Sequence, residues 1–387
     1  MKVCDVTEFY AETSGGVRTY VEAKARHITR RSGWEHVLIV PGSEDSVESS
    51  GRSRTYRIKG PRIPGCPPYR LLCSRRKLRA ILARERPQVV EVGSPYCAPW
   101  LVRWALRGLS PRPALVGFYH SDFPSTYVRP LAGRLGPRLA ERAEGLAWSY
   151  ARRVYRGFEA TLAASPHVAG LLADRGIPRV RRVPLGVDLE LFHPDRRDPE
   201  LRRGLGLAPG DVLLLYVGRF APEKGLATLL EATPLLPPHF RLLLVGGGPW
   251  QAQIAAFARR HPAVIVRGYE DDRKRLATLY ASADLFVAPG AFETFGLAAV
   301  EAQACGLPVV AARGGALPDV VSPAASLLVE PNRPEPLAAA ILELAQRDRS
   351  ALGREARNHV AARFDWAVVL DGLAALYEEA GASGRGL

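Results

Sequence analysis

The sequence has no long apolar run, no closely spaced pair of cysteines and little lysine. None of its apolar stretches approaches the ~18–20 residues that a helix needs to span a bilayer. Its start, "MKVCDVTEFYAET", is acidic where a secretory signal would be basic and then apolar. The five cysteines are odd in number and form no CxxC pair, unlike a disulfide framework or a zinc site. We therefore expect a cytoplasmic protein whose cysteines are reduced thiols.

The positive charge is confined to one half of the chain. Residues 1–190 hold 32 Lys and Arg against 17 Asp and Glu, a net charge of +15, whereas residues 191–387 hold 21 against 22. A basic half can attract a membrane surface, an anionic acceptor or nucleic acid. Only six of the 53 basic residues are Lys, so a compositional bias toward arginine explains the charge equally well. Both interpretations stay open.

One segment of the basic half, "SRRKLRAILARER" (Ser74–Arg86), has the pattern of a basic amphipathic helix. Such a helix can lie on anionic lipid at the inner face of the cell membrane, or simply expose a solvated basic face. Aromatic residues are not interleaved with the basic clusters, as a stacking platform for nucleic acid would require. We expect no nucleic-acid partner and keep peripheral membrane attachment as an expectation.

Short apolar runs alternate with amphipathic segments along the chain, which is typical of an α/β architecture with parallel sheets. Predicted strands include "HVLIVPG", "QVVEVGS" and "ALVGFYHSD" in the first half, and "VLLLYVGRF", "RLLLVGGGP" and "LFVAPG" in the second. A long helix is predicted over "YRLLCSRRKLRAILARERP". The periodicity lapses near "RRVPLGVDLELFHPDRRDPE". We predict two Rossmann-like domains, residues 1–187 and 188–365, facing each other across a cleft.

Two cations follow a predicted strand of the second domain, and ligands of open α/β sheets bind beyond the carboxyl ends of strands. In "YVGRFAPEKGLATLLEA" the strand ends at Val217, and Arg219 and Lys224 precede a helix. A helix N-terminus already carries a positive partial charge, so two cations there conflict with it unless an anion binds. The pattern favours a diphosphate site over ordinary surface charge.

Two glutamates flank the start of another helix in "GAFETFGLAAVEA". Backbone N–H groups near Phe295, Gly296 and Leu297 would form a phosphate site at the helix N-terminus, with glycine allowing close approach. Eight helical residues span ~12 Å, so Glu293 and Glu301 cannot act as one catalytic pair. They can bind sugar hydroxyls at the two ends of a long ligand.

The first domain offers two further candidate loops. In "TSGGVRTYV", Ser14, Gly15 and Gly16 precede a helix whose N-terminus could approach phosphate. In "GFYHSDFPSTY", His120 follows a strand and can exchange a hydrogen bond with a sugar hydroxyl. Asp122 in the same loop is either a functional residue or a local cap of backbone N–H groups.

A glycine-rich turn in the second domain, "LLLVGGGPW", lacks the third glycine and the acidic partner of a dinucleotide-binding motif. We interpret it as a tight strand–helix turn that lines the ligand crevice, with residues 246–248 giving backbone clearance and Gly247 as the candidate ligand contact. We do not expect nicotinamide binding.

Taken together, these motifs resemble the retaining glycosyltransferases of family 4, which have the two-domain GT-B fold. The matching pieces are "SGGV", "HSDFP", "VPLGVDLELF", "VGRFAPEKG", "LLLVGGGP", "ETFGLAAVEAQACGLPVVA" and "GGALPDVV". They extend from residue 14 to residue 321. The "HSDFP" form is most similar to bacterial and archaeal mannosyltransferases that use GDP-mannose. The chain departs from the family at Pro289-Gly290, where relatives often have Pro-Ser.

The resemblance implies that a C-terminal helix over residues 366–387 packs back on the first domain, and that a nucleoside-diphosphate sugar is held mainly by the second domain. Arg219 and Lys224 would bind the pyrophosphate, and Gly16 would approach it from the first domain. Glu293 would bind hydroxyls of the donor sugar, and Glu301 would bind the ribose.

The resemblance implies further contacts. His120 would lie near the transferring sugar and join Arg219, Lys224 and Glu293 as the catalytic set. Backbone contacts to the donor would come from Gly247, Phe295, Gly296 and Leu297. The acceptor-side candidates are Gly15 and Asp122.

The implied reaction is hexose transfer with retention of configuration, mannose being the favoured sugar. No Asp-x-Asp motif follows a predicted strand, so we expect fixed cations to replace a metal and no cofactor to be needed. A nucleotide-sugar epimerase, a phosphorylase of the same fold and a non-catalytic protein that binds anionic surfaces remain alternatives. The acceptor, whether lipid, glycan or small molecule, stays open.

Overall fold

The computed structural model describes residues 1–10, 15–63 and 69–383. The chain divides into two compact units. The N-terminal unit comprises Met1–Pro184 together with the chain from Ala367 onward, and the C-terminal unit comprises Leu185–Trp366. Each unit has a predominantly parallel β-sheet of its own.

The sheet of the N-terminal unit has eight strands in the described part of the chain, in the order β3-β4-β2-β1-β5-β6-β7-β8. All neighbours are parallel except β3 and β4. The strands are β1 Lys2–Val6, β2 Glu35–Gly42, β3 Ser46–Ser50, β4 Ser53–Lys59, β5 Val89–Val92, β6 Ala114–Tyr119, β7 Ala160–Ala163 and β8 Val180–Arg182. The central strands β5, β6 and β7 are buried on both faces, as continuous apolar runs predict.

Helices connect most of these strands along the chain. They are α1 Gly16–Arg30, α2 Arg75–Glu85, α3 Ala98–Ala105, α4 Arg129–Gly133, α5 Pro137–Tyr155 and α6 Pro166–Asp174. A π-helical turn over Pro124–Val128 precedes α4. Within the described residues, no helix of either unit is both long and apolar enough to cross a membrane.

The sheet of the C-terminal unit is wholly parallel, in the order β11-β10-β9-β12-β13-β14. Its strands are β9 Val212–Val217, β10 Phe240–Val245, β11 Val264–Arg267, β12 Leu285–Ala288, β13 Val309–Ala312 and β14 Ser326–Val329. Its helices are α7 Pro199–Gly204, α8 Leu226–Ala232, α9 Gln251–Ala258, α10 Arg273–Ser282, α11 Leu297–Ala304, α12 Leu317–Val320, α13 Pro334–Gln346 and α14 Arg349–Arg363. The final helix is α15 Trp366–Ser383.

Helix α2 corrects the predicted start of the basic helix and favours one of the two interpretations of its surface. The predicted helix over residues 69–87 begins only at Arg75, because the chain before it is held in extended form by an isolated bridge between Arg62 and Arg70. The apolar side chains Leu78 and Leu82 are buried in the core of the unit. The apolar face of α2 is therefore packed on the fold, which favours the solvated basic face, rather than a helix lying on lipid, as the interpretation of Ser74–Arg86.

A buried charge network joins α15 to the N-terminal sheet. Lys24 of α1 lies 2.6 Å from the Asp5 carboxylate of β1 and 2.7 Å from the Glu91 carboxylate of β5. Tyr377 of α15 donates to Glu91 at 2.5 Å. Burial alone would lower the pKa of Lys24, but the two carboxylates raise it. The network therefore contains a charged lysine, and α15 supplies one of its partners.

Candidate active site

The loops that follow strands β9 and β12 pack tightly at the carboxyl edge of the C-terminal sheet. Gly225 has φ +68°, and a Cβ on it would collide with the Pro289 carbonyl. A Cβ on Gly290 would lie 3.0 Å from the backbone of Lys224. Glycine at residue 290, the departure from the family pattern, therefore allows this close packing of the two loops.

This packing brings together two of the predicted site residues. The Nζ of Lys224 lies 2.6 Å from the Oε1 of Glu293, and about a quarter of each side chain is exposed to solvent. Lys224 ends a 3₁₀ turn over Pro222–Lys224 after β9, while Glu293 belongs to the loop after β12. The structure thus places a cation and a carboxylate side by side at a solvent-accessible edge of the sheet.

Arg219 lies in the same loop as Lys224 and is half exposed. It forms an ion pair with Glu223. Its backbone carbonyl accepts a hydrogen bond of 3.0 Å from the hydroxyl of Tyr216. Burial raises the pKa of Tyr216 well above its usual range, so that the phenol remains a donor. Tyr216, which sequence reasoning did not assign, fixes the backbone that carries Arg219.

The loop of Glu293 is held by a pair of glycines after β13, another feature to which sequence reasoning gave no role. The N–H of Ala316 donates to the Glu293 carbonyl at 2.8 Å. Gly315 has φ +57°, and a Cβ on it would lie 2.5 Å from that carbonyl. The only signal was the "GG" in "GGALPD" directly after a predicted strand.

The start of helix α11 has the geometry predicted for an anion site. Gly296 is its N-cap in a left-handed conformation, with φ +90°. Leu297 is the first helical residue, so helix geometry gives its N–H no partner within the helix, whereas the N–H of Ala299 already donates to the Gly296 carbonyl at 3.0 Å. The side chain of Phe295 is buried against Phe364, with ring centroids 5.5 Å apart. Phe295 can therefore contribute to a ligand only through its backbone.

Glu301, the fifth residue of α11, is surrounded by more protein groups than the sequence suggested. It is buried, with one carboxylate oxygen 2.8 Å from the Arg273 guanidinium and the other 3.1 Å from the hydroxyl of Tyr280. Burial would lower the pKa of Arg273, but the Glu301 carboxylate raises it. A carboxylate can accept about four hydrogen bonds, so its predicted ribose contact would share the group with a structural ion pair.

The glycine-rich turn after β10 packs against the loop of Arg219. Phe220 donates its N–H to the Gly247 carbonyl at 2.9 Å. Gly248 has φ +151°, and a Cβ on it would lie 2.5 Å from the Phe220 carbonyl. A Cβ on Gly247 itself would meet only the side chain of Gln251, at 3.9 Å. There is open space beside Gly247, and its contact with a ligand stays a prediction.

In the N-terminal unit, the predicted phosphate loop is described only in part. Gly15 is exposed and is the N-cap of α1, and Gly16 is the first residue of the helix. Ser14 lies outside the described residues. Both glycines therefore occupy the helix N-terminus to which the sequence assigned them.

His120 follows β6 in the N-terminal unit. Its ring stacks on Phe118 with centroids 4.0 Å apart, and the edge of Tyr20 lies 5.5 Å away. A Cβ on Gly93, which follows β5, would be 3.5 Å from the imidazole. Burial lowers the pKa of His120 to about 3, and the Lys24 cation acts in the same direction. The imidazole is therefore neutral at ordinary pH, with one nitrogen as donor and one as acceptor.

Asp122 has the contacts of a local cap. Its Oδ1 accepts from the Tyr119 hydroxyl at 3.1 Å and from the Ser125 N–H at 3.4 Å. These contacts support the interpretation of Asp122 as a local cap rather than a functional residue. An acceptor-side role for Asp122 stays a prediction.

Both halves of the chain match known protein families. A family model described as "Glycosyl transferases group 1" matches residues 197–359, and one described as "Glycosyltransferase Family 4" matches residues 14–191. A GDP-mannose-dependent alpha-(1-6)-phosphatidylinositol dimannoside mannosyltransferase of Mycobacterium tuberculosis is 32% identical over 95% of this chain and 93% of its own. The chain belongs to the family 4 glycosyltransferases. A GDP-mannose-dependent alpha-mannosyltransferase of Mycolicibacterium smegmatis is also 32% identical, over 98% and 97% of the two chains.

Solved structures agree on the fold of this glycosyltransferase. Sucrose-phosphate synthase from Thermosynechococcus elongatus has a TM-score of 0.80 at 23% identity, over 99% of this chain and all of that chain. The two parallel-sheet α/β domains therefore form a GT-B glycosyltransferase, which confirms the predicted family and fold class. As a glycosyltransferase, the protein transfers a sugar from a nucleotide-sugar donor to an acceptor. The individual roles of the site residues stay predictions.

Proposed function

We propose that this glycosyltransferase transfers mannose from GDP-mannose to its acceptor with retention of anomeric configuration. The observation that carries the proposal is the contact between Lys224 and Glu293 beside the N-terminus of α11. Relatives named as GDP-mannose-dependent mannosyltransferases support the choice of donor. An epimerase or a phosphorylase is not favoured by these relatives.

The diphosphate is bound by charge and by backbone. Lys224 and the half-exposed Arg219 supply two cations after β9. The N–H groups at Gly296 and Leu297 supply further donors. About three-quarters of each side chain of the Lys224–Glu293 pair is buried, so the charge of the phosphate has to offset the loss of the carboxylate when Lys224 turns toward it. Glu293 is then available for hydroxyl groups of the donor sugar.

The same cations stabilise the leaving group in the transition state. The bond between sugar C1 and the phosphate oxygen breaks, and its electron pair stays on the departing diphosphate. The acceptor oxygen bonds to C1 from the same face, and its proton passes to the leaving phosphate oxygen. Charge develops on the diphosphate, where fixed cations act most strongly. We propose that Arg219, Lys224 and the helix N–H groups supply this stabilisation without a metal ion.

The acceptor is proposed only as a class. One relative is named for a phosphatidylinositol dimannoside acceptor and another for D-inositol 3-phosphate. An acceptor that carries a lipid would bring the enzyme to a membrane surface. The excess of basic residues in the first half of the chain supports peripheral attachment at the inner face of the cell membrane.

A transfer assay tests this function. The purified enzyme is incubated with GDP-mannose, UDP-glucose or ADP-glucose, a mannosylated lipid extract as acceptor, and either a chelator or Mg²⁺. We expect product from GDP-mannose with and without chelator, and an NMR coupling at the new anomeric carbon that matches that of the donor. Product of inverted configuration, product from another donor alone, or loss of activity with chelator would each refute one part of the proposal.

A further inference from the structure

Five large apolar side chains are exposed to solvent on one helical hairpin of the N-terminal unit. The hairpin, residues 124–147, consists of the π-helical turn, α4, a tight turn and the first half of α5. The most exposed leucines are Leu135, at 78%, and Leu146, at 73%. The five side chains are Tyr127, Leu131, Leu135, Leu139 and Leu146. Single exposed apolar residues are common on protein surfaces, but a contiguous set indicates an interaction site.

Helical periodicity explains why these residues share one surface. Leu139 and Leu146 are seven residues apart in α5, about two turns, and therefore lie on one face. Trp148 and Ala151 of α5 are buried in the core, on its other side. The hairpin also has an apolar groove of about 490 Å³. It is lined by Val128, Leu131, Ala132, Arg134, Leu135 and Ala143.

Arginines border this apolar surface. Arg134, Arg138 and Arg142 are exposed and alternate with the leucines along the chain. Two acids lie on the hairpin: Glu144 is buried and paired with Arg129 at 2.7 Å, and Glu141 is exposed among the arginines of α5. Four arginines against these two acids leave the hairpin with a net charge of +2. The surface thus combines exposed apolar side chains with an excess of positive charge.

This combination selects among possible partners. A second copy of the chain, docked through the same surface, would bring like-charged arginines together, which is unfavourable. A bilayer of anionic phospholipid offers hydrocarbon to the leucines and phosphate groups to the arginines. Helix α2, the segment that the sequence suggested for this role, has its apolar face in the core.

We propose that the hairpin of residues 124–147 is the membrane-docking surface, with Leu131, Leu135 and Leu139 inserted among the lipids and the arginines at the headgroups. The inference rests on the peripheral attachment proposed above and names the surface responsible for it. Attachment by this hairpin holds the N-terminal unit against the bilayer.

Vesicle co-sedimentation tests the apolar part of the surface. The full-length enzyme is mixed with vesicles of phosphatidylcholine alone or of phosphatidylcholine with phosphatidylglycerol. We expect the double variant Leu131→Asp/Leu135→Asp to bind the anionic vesicles roughly tenfold more weakly than wild type, because two inserted leucines are lost. The control is Leu235→Asp, which changes a half-exposed leucine of the C-terminal unit and should bind as wild type does.

The arginines are tested separately. The variant Arg134→Gln/Arg138→Gln should lose the preference for anionic over neutral vesicles, and added salt should reduce wild-type binding in the same way. Arg259→Gln/Arg260→Gln in the C-terminal unit removes the same charge from another exposed site and should keep that preference. An unchanged melting temperature and unchanged binding of GDP show that each variant is folded.

The outcomes separate the surface from the attachment itself. If wild type binds anionic vesicles and the leucine variant binds equally well, the hairpin is not the docking surface, although attachment stands. If wild type binds no vesicle, both the attachment and the surface are wrong, while sugar transfer is untouched. If wild type is a dimer and the leucine variant a monomer in sedimentation velocity, the surface is an interface between copies and the membrane proposal is overturned.

Discussion

The Nζ of Lys224 lies 2.6 Å from the Oε1 of Glu293 and joins the loops that follow two neighbouring strands, β9 and β12. Gly225 and Gly290 make this contact sterically feasible. The pair holds both side chains at this edge of the sheet before any ligand binds. We propose that Lys224 exchanges this carboxylate for a phosphate when the donor binds, so that a cation lies where charge develops on the leaving group.

Replacing Lys224 by Ala removes one of the two cations proposed to stabilise the leaving diphosphate. We expect kcat/KM for GDP-mannose to fall by roughly 10²-fold or more, because the contact strengthens in the transition state. Lys274→Ala, which removes an exposed lysine elsewhere in the same unit, is the control and should keep wild-type kinetics. Steady-state rates with both variants decide the assignment, and unchanged turnover by Lys224→Ala would refute it.

Glu301 can be tested for ribose binding despite its ion pair with Arg273. We expect wild type to bind GDP about tenfold more tightly than 2′-deoxy-GDP, because a hydrogen bond to a carboxylate is lost. The variant Glu301→Gln should bind both nucleotides with similar affinity. If calorimetry shows that Glu301→Gln discriminates between them as well as wild type does, Glu301 is only the structural partner of Arg273 and Tyr280.

Gly296 is predicted to tolerate no side chain. A residue with φ +90° is strained unless it is glycine, and a Cβ there would lie 2.9 Å from the Leu317 side chain. We expect Gly296→Ala to lower the free energy of unfolding by about 1–2 kcal/mol and to weaken binding of GDP at the start of α11. Gly268→Ala, at an open position, should change neither quantity. A Gly296→Ala variant with wild-type stability in denaturant titrations would contradict this account of the helix start.

His120 is predicted to remain neutral throughout the physiological range. Its folded pKa of about 3 lies below the ~6.5 of an unfolded chain, so the unfolded state binds the proton more tightly. Its contribution to stability is therefore complete above pH ~6.5 and is lost progressively as the pH falls to about 3. Unfolding measured against pH should show a weaker acid dependence in His120→Asn than in wild type.

The same variant tests the proposed contact of His120 with the sugar. We expect His120→Asn to lower kcat/KM by roughly 10-fold or more through loss of a hydrogen bond, without a new inflection between pH 5 and 8. An inflection of the wild-type rate near pH ~6.5 that disappears in the variant would show that His120 titrates in that range, contrary to the structure.

Lys24 is predicted to be essential for stability rather than for chemistry. Removing the cation leaves the buried Asp5 and Glu91 carboxylates without their lysine partner, although each keeps other hydrogen bonds. We expect Lys24→Met to cost about 3–5 kcal/mol of unfolding free energy, whereas Lys59→Met, at an exposed site of the same unit, should cost little. Near-equal unfolding curves for the two variants would mean that the network is not maintained by its charge.

Much of the fold was predictable because buried parallel strands have continuous apolar sequences. Strand β9, "VLLLYV", and strand β6, "ALVGFY", were recognised in this way. Strand β3, "SVESS", was not, because it is an exposed edge strand with polar residues. The start of α2 was misplaced because local periodicity does not register the bridge that keeps the preceding chain extended.

The site was predictable where backbone geometry requires glycine or where a strand end limits the position. Gly296 and Lys224 belong to this class. The partners of Glu301 were not predictable, because Arg273 and Tyr280 are 28 and 21 residues away in sequence. For the same reason, the neutral state of His120 could not be predicted: it depends on burial and on Lys24, which is distant in sequence and is brought close only by the fold.

The central claim, that a nucleoside diphosphate binds at Lys224 and the start of α11, is tested most directly by isothermal titration calorimetry. Wild type is titrated with GDP, UDP and ADP, and Lys224→Ala is titrated with GDP. The account predicts a clear heat of binding of wild type with GDP and an affinity at least about tenfold weaker in the variant. If correctly folded wild type gives no heat of binding with any of the three nucleotides, the account is contradicted.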